Sequence, residues 1–320
     1  MISSRKNQEK SEIPKSLYEK IIRKPWFDQV INYKEFLDKK RLLSSYTIRN
    51  YVIDLTTFFE FLNSISLKSL HDLHKNHIRG YMRWLSMRNV SRKSISRKLS
   101  SLKTFFTYLE DNNEISHNPA EMVKPPKQDQ KLPRIENPED ISKMMEEDFI
   151  STKMKLRNST IIEVLYGSGM RVSELRNLLL ENINLESGEI KVKGKGNKER
   201  IVLIGEKAVN SIKKYLDFER KTTSNTNYLF LNKFGNPIST RSIQRIVKKY
   251  SQIAGLHEDF HTHTLRHSFA THMLDGGADI KVVQELLGHS SPTTTQIYTH
   301  ISKEKMKEIY NSSHPRSKNA

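Results

Sequence analysis

The sequence predicts a mainly α protein with a small β-sheet (α+β), divided into a helical N-terminal domain and a mixed α/β second domain. Three observations carry that expectation. Two apolar stripes with helical spacing run over Ile48–Leu62 and Ile95–Leu109. A polar segment with five prolines, residues 117–140, interrupts the pattern. Beyond it, Glu189–Leu203 reads as two β-rich arms around the polar turn GKGNKE.

Residues 1–25 carry many charges and little apolar periodicity, and read as a flexible N-terminal arm. Ile48, Tyr51, Val52, Leu55, Phe58, Phe59 and Leu62 share one helix face, with Ser44 or Ser45 as its cap. Ile95, Leu99, Leu102, Phe105, Phe106 and Leu109 repeat the stripe, which defines a helical domain over residues 26–112. Proline removes backbone donors and disfavours helix in the residue before it, so 113–140 reads as a linker. The second domain spans 141–312, with a tail at 313–320. Within it Asn158–Tyr166, Val172–Leu180, Ser239–Gly255, His263–Leu274 and Ile280–Leu287 look helical. Gly276, Gly277 and Gly288 stand where C-terminal caps belong.

The 320 residues suffice for two domains that each bury a core. Mean hydropathy is −0.65, so no membrane-spanning segment is expected, and the polar start lacks a secretory signal. The absence of cysteine excludes disulfides, thiolate nucleophiles and cysteine-ligated metals. A cytoplasmic protein is expected. Its formal charge of +18 makes a polyanion the first candidate partner. Between Leu73 and Leu109 there is no acidic residue, while Arg79, Arg83, Arg88, Arg92, Lys93, Arg97, Lys98 and Lys103 fall there. Such a stretch suits a nucleic-acid backbone; an ordinary solvated helix face usually mixes both signs. Thr240–Lys249, with Arg241 and Arg245, is a candidate helix for reading bases.

No GxxxxGK[ST], GxGxxG, GxSxG or HExxH motif is present, so ATP hydrolysis, dinucleotide redox chemistry and zincin chemistry have no visible site. The histidine-rich segment 261–302 offers two readings. His263 and His267 stand at i, i+4, a spacing that can grip zinc, but Arg266 beside them would repel a dication. His263 and Arg266 at i, i+3 can instead face one phosphate, arginine as a planar fork and histidine as a proton donor or shuttle. Alone that pair is within chance. GSGMRVSEL places Arg171 at the start of a helix whose N-terminal amides also favour an anion, with Glu174 either orienting the arginine or serving as a capping-box acid. Lys195 sits on the hairpin turn, His289 just past a helix end, and Tyr298 nine residues further on; Lys195 also reads as a solvated hairpin lysine and Tyr298 as packing or surface.

SGMRVSELRNL, VKGKGNKERIVL, HTLRHSFATHML and ELLGHSSPTTTQIYTHIS resemble, in order and spacing, the four signature segments of the tyrosine recombinase (lambda-integrase-like, phage integrase) family, with wording nearest the Xer type. SISRKLSSLKTFFTYL, HNPAEMVKPPK and IYNSSHPRS extend the likeness to the core-binding domain, linker and tail, so it covers about residues 26–316. The resemblance implies a helical core-binding (SAM-like) domain and a catalytic domain that form a C-shaped clamp on DNA. It implies that Arg171 and Arg266 clamp the scissile phosphate and that Tyr298 is the nucleophile. Lys195 would protonate the leaving 5′ oxygen, His263 would transfer protons, and His289 would hydrogen-bond the phosphate. Glu174 is supporting. No cofactor, metal or ATP is implied. Partners implied are double-stranded DNA bearing a recombination site, a homotetramer or a heterotetramer with a second recombinase, and a DNA translocase; the C-terminal helix near Lys303–Tyr310 would pack on a neighbouring protomer. Xer-type dimer resolution in the nucleoid is the favoured role. Integration or excision of a mobile element, a type IB topoisomerase and a catalytically silent DNA-binding protein are the alternatives.

Overall fold

The computed structural model describes residues 26–40, 43, 45–67, 69–127, 135–146, 154–194, 199–220, 226–288 and 302–317. The expected arm at 1–25, Ser44, and the last three residues of the tail lie outside them. By its contacts the chain divides into two compact units, Met1–Leu132 and Pro133–Ala320.

Unit 1 holds helices α1 (Phe27–Lys40), α2 (Ser45–Ser64), α3 (Lys75–Met87) and α4 (Arg92–Asp111). The stripes of α2 and α4 bury nearly every apolar position named from the sequence. They meet in an aromatic core in which Phe58 lies edge-on to Phe106 at 5.8 Å. Ser91 caps α4, its Oγ accepting from the Ser94 amide at 3.2 Å. After α4 the chain folds back onto its helix. Asn118 Nδ2 donates to the Lys103 carbonyl at 3.1 Å, and Ile115, Ala120 and Val123 are buried. The start of the expected linker is therefore part of this core.

One buried charge cluster ties α2 to α4. Asp54, fully buried, accepts from Arg97, from Lys98 Nζ at 3.0 Å and from Ser101 Oγ at 2.8 Å. Lys98, expected to touch DNA, is turned inward instead, because it occupies the buried stripe between Ile95 and Leu102 and a carboxylate is waiting there.

Unit 2 opens on α5 (Pro138–Lys143), so the end of the expected linker is helical: Asn137 is its N-cap and Pro138 fills the N1 position, where a missing N–H costs nothing. The central helix α6 (Lys155–Ser168) is buried nearly all round, as befits a helix with packing on every side. Then follow α7 (Val172–Arg176), a three-stranded antiparallel sheet β1 (Ile183–Asn184), β2 (Glu189–Lys193) and β3 (Glu199–Leu203), and helices α8 (Glu206–Phe218), α9 (Thr240–Ile253), α10 (Thr262–Asp275), α11 (Ile280–Leu287) and α12 (Lys303–Ser313). The helix expected over Val172–Leu180 stops at Arg176. Leu179 is instead pulled into an extended bridge with Tyr228, and a 3₁₀ turn at Leu180–Asn182 leads into β1.

The C-terminal segment packs on its own chain through one face of α12. Tyr310 is buried, its hydroxyl donating to the Gly167 carbonyl at 2.7 Å, and it joins Phe269, Met273 and the α11 valines in one apolar cluster. Beyond α12, Arg316 grips the buried Glu163 of α6 with Nε at 2.8 Å and Nη2 at 2.6 Å. Removing one partner of such a pair leaves the other buried and unpaired. Arg316→Ala is expected to cost about 3–5 kcal/mol and lower the unit 2 transition by about 10 °C in a thermal melt.

Candidate active site

The site is built where three separated stretches of unit 2 meet: the turn after α6, strand β3, and the end of α11 beside α10. The turn after α6 needs a left-handed residue. Gly169 adopts φ +59°, and a Cβ there would lie 2.5 Å from Phe269, so only glycine fits. Two residues later Arg171 caps α7. Its amide donates to Glu174 Oε2 at 2.7 Å and its Nη1 to Glu174 Oε1 at 3.1 Å. Glu174 is thus both capping-box acid and orienter of the arginine. The Arg171 amide is used internally.

Arg266 projects from the second turn of α10. Its Nη1 donates to the Gly169 carbonyl at 2.7 Å and its Nη2 to the Leu287 carbonyl at 2.6 Å. Arg171 Nη2 reaches the next carbonyl, that of Gly288, at 3.4 Å. Adjacent carbonyls at the end of α11 therefore hold the two arginines side by side.

A third guanidinium, Arg200 of β3, completes the cluster and was not singled out from the sequence. It donates from Nη1 to Glu174 Oε1 at 2.6 Å and from Nη2 to Oε2 at 3.1 Å. A signal existed. Val202 is an inward position of the strand, and Arg200 two residues earlier shares its face, opposite buried Val192. An inward arginine in a strand requires a buried partner.

Three cations thus surround one carboxylate. Burial pushes the Glu174 carboxyl up, but its bonds to Arg200 and to the amide and guanidinium of Arg171 outweigh that and hold it below the ordinary value of 4.5. For Arg266 the balance is reversed. Burial, then repulsion from Arg171 and Arg200, lowers it to about 10, so it remains charged at neutral pH in a site with surplus positive potential. An added anion relieves that repulsion. Since the folded Glu174 value lies below the unfolded one, its stabilisation is present above the ordinary carboxylate range and lost as pH falls through the folded value. Glu174→Gln is expected to lower the melting temperature at pH 7, with the gap to the parent chain closing as melts are repeated towards pH 3.

His263 is exposed on α10, one turn before Arg266, its ring 5.8 Å from that of His261. His267 is exposed too, and among the described residues no three metal-ligating side chains come together. His272, on the same helix, is buried and fully engaged: Nδ1 lies 2.7 Å from the Tyr166 hydroxyl and Nε2 2.9 Å from the Glu136 carbonyl. Lys195, His289 and Tyr298 lie outside the described residues. On unit 1, Arg79, Arg83 and Arg92 line an open groove of about 700 Å³ with Met122 and Lys124. Arg88 stacks on Trp84 at 3.6 Å, Lys93 is exposed, Arg97 is tethered to Asp54 but half exposed, and Lys103 Nζ donates to the Glu121 carbonyl at 2.8 Å. Arg241 and Arg245 are exposed on α9.

Comparison with known proteins converges on one family. The model of the Phage integrase family matches residues 136–305, and that of the phage integrase N-terminal SAM-like domain matches residues 30–113. The chain belongs to the phage integrase family. Within that family it is 40% identical to a tyrosine recombinase XerC from Natranaerobius thermophilus over 298 residues, 91% of this chain and 99% of that one. It is 37% identical to a tyrosine recombinase XerD from Listeria innocua over 295 residues, with the same coverage. Among solved integrase-family structures, a XerH site-specific recombinase bound to difH substrate in a post-cleavage complex superposes with a TM-score of 0.68 at 27% identity, covering 88% of this chain and 84% of that one. A lambda integrase dimer on its core site shares the fold, with a TM-score of 0.65 at 18% identity, 86% of this chain and 98% of that one. Among the described residues no helix is long and apolar enough to cross a membrane.

Proposed function

We propose that the chain is a site-specific DNA recombinase of the Xer type, cutting and rejoining DNA through a 3′-phosphotyrosyl intermediate. The observation that carries the reading is the pairing of Arg171 and Arg266 on the adjacent carbonyls of Gly288 and Leu287 at the end of α11, with surplus positive charge around Glu174. Two fixed guanidiniums of that kind neutralise a phosphodiester and the further charge of its pentavalent transition state. Tyr298 Oη attacks the phosphorus and the bond to the 5′ oxygen breaks, leaving the 3′ phosphate esterified to tyrosine. Lys195 delivers a proton to the departing 5′ oxygen. His263 moves the tyrosine proton, and His289 donates to a non-bridging oxygen. The ester conserves the energy of the broken bond, so the reverse attack reseals a strand without ATP.

Arg79, Arg83 and Arg92 of unit 1 would contact phosphates, and α9 of unit 2 would lie at base edges. Four protomers on two paired sites, or two each of this chain and a second recombinase, would exchange strands in two steps through a Holliday junction. Resolution of chromosome or plasmid dimers in the nucleoid is the role proposed, and a DNA translocase is a fitting partner.

Capture on host DNA tests the role. Nicked fragments of the host genome, offered to the purified chain in EDTA, are expected to yield covalent adducts enriched for one chromosomal locus. Enrichment of the ends of a mobile element would make the chain an integrase or excisionase instead, and binding with no adduct would make it a silent DNA-binding protein.

A further inference from the structure

We propose that Arg200 is a positioning residue for strand cleavage, acting on Arg171 through Glu174 and through the end of α11. The inference rests on the recombinase reading above. Arg171 has a side chain 39% exposed, so packing alone does not orient it; its guanidinium is held by Glu174 Oε1 and the Gly288 carbonyl. Arg200 touches the first of those groups and packs beside the residue that carries the second, its Nε reaching the Leu286 carbonyl at 3.5 Å. Its fork covers the two oxygens of Glu174, and its stem occupies the space that a side chain at position 288 would need, a Cβ there falling 2.6 Å from Arg200 Cδ and Nε. Gly288, at φ +64°, is thus the residue that leaves room for the Arg200 stem at the end of α11, where Arg200 reaches the Leu286 carbonyl and Arg171 the Gly288 carbonyl.

The strand supplies the rigidity. β3 pairs with β2 through five residues, from Glu189 opposite Leu203 to Lys193 opposite Glu199, so Arg200 is fixed in register and only 16% exposed. Without it, Glu174 would keep only the Arg171 amide on Oε2 and the half-exposed Arg171 guanidinium on Oε1, and with Oε1 no longer fixed by the strand the guanidinium it orients could shift. Misplacement of a charge-neutralising group by an ångström is enough to cost about 100-fold in rate. A purely structural ion pair would behave differently: its loss would lower stability and slow every substrate alike.

The distinguishing substrate is a suicide duplex whose scissile phosphate carries a methylphosphonate, which removes the negative charge that Arg171 neutralises. On the ordinary phosphodiester, Arg200→Ala and Arg200→Lys are expected to form adduct about 100-fold more slowly than the parent chain, with half-site binding unchanged. On the methylphosphonate both variants are expected to match the parent chain. Equal slowing on the two substrates, or no slowing on either, overturns the proposal. Arg200→Lys keeps the buried charge, so it carries the test if Arg200→Ala does not fold. No adduct from the parent chain overturns the recombinase reading and this inference with it.

Discussion

Arg266→Ala is expected to slow strand cleavage by about 10³–10⁵-fold while leaving half-site binding nearly intact, the range found where an arginine neutralises a phosphoryl transition state. The magnitude follows from its placement. Arg266 is bonded to carbonyls on two sides, at Gly169 and Leu287, so its charge is aimed and requires no reorganisation as the phosphorus becomes pentavalent. Arg266→Lys should recover little, because an ammonium cannot span both carbonyls and the phosphate as a planar fork does. Stability should change far less than activity. The cation sits among Arg171 and Arg200 at a cost shown by its lowered value of about 10. Its removal relieves that repulsion but leaves two carbonyls unpaired. A melting temperature within a few degrees of the parent, beside a near-total loss of cleavage, is the expected pair of results. A collapse of stability with proportionate loss of binding would assign Arg266 a structural role.

Tyr298→Phe is expected to abolish the covalent adduct, with cleavage reduced by at least about 10⁴-fold. The substitution removes one oxygen and no charge, so affinity for a half-site and its salt dependence should be unchanged. Measured side by side, gel-shift and adduct assays separate the nucleophile from a residue that merely packs against DNA. A variant that still forms adduct would move the nucleophile elsewhere.

Much of this was legible in the sequence, for reasons that differ by residue. The α2 and α4 stripes reveal themselves because burial on one face imposes helical spacing on Ile48–Leu62 and Ile95–Leu109. Arg171 and Arg266 stand out through motif spacing, and Glu174 had two readings that the structure shows to be compatible. Arg200 was harder. Its significance depends on a strand register and on a carboxylate far away in the chain, neither of which a local pattern states. Lys98 was misread because charge sign was given more weight than its place in an apolar stripe; Asp54 in the facing stripe is the compensating partner. Helix α8 was overlooked although Ala208, Ile212 and Tyr215 repeat at helical spacing, since polar residues fill most of its surface. The home packing of α12 depends on Tyr310 finding the Gly167 carbonyl and Arg316 finding Glu163, long-range pairings with no local signature.

The most direct measurement is peptide mapping by mass spectrometry of the adduct formed on a nicked suicide duplex in the presence of EDTA. A single nucleotide-bearing peptide, with the 3′ phosphate on Tyr298 and the signal absent from Tyr298→Phe, is the expected result. Attachment at another residue, or an adduct that forms only when divalent metal is supplied, would contradict a metal-independent tyrosine ester at a site of paired arginines.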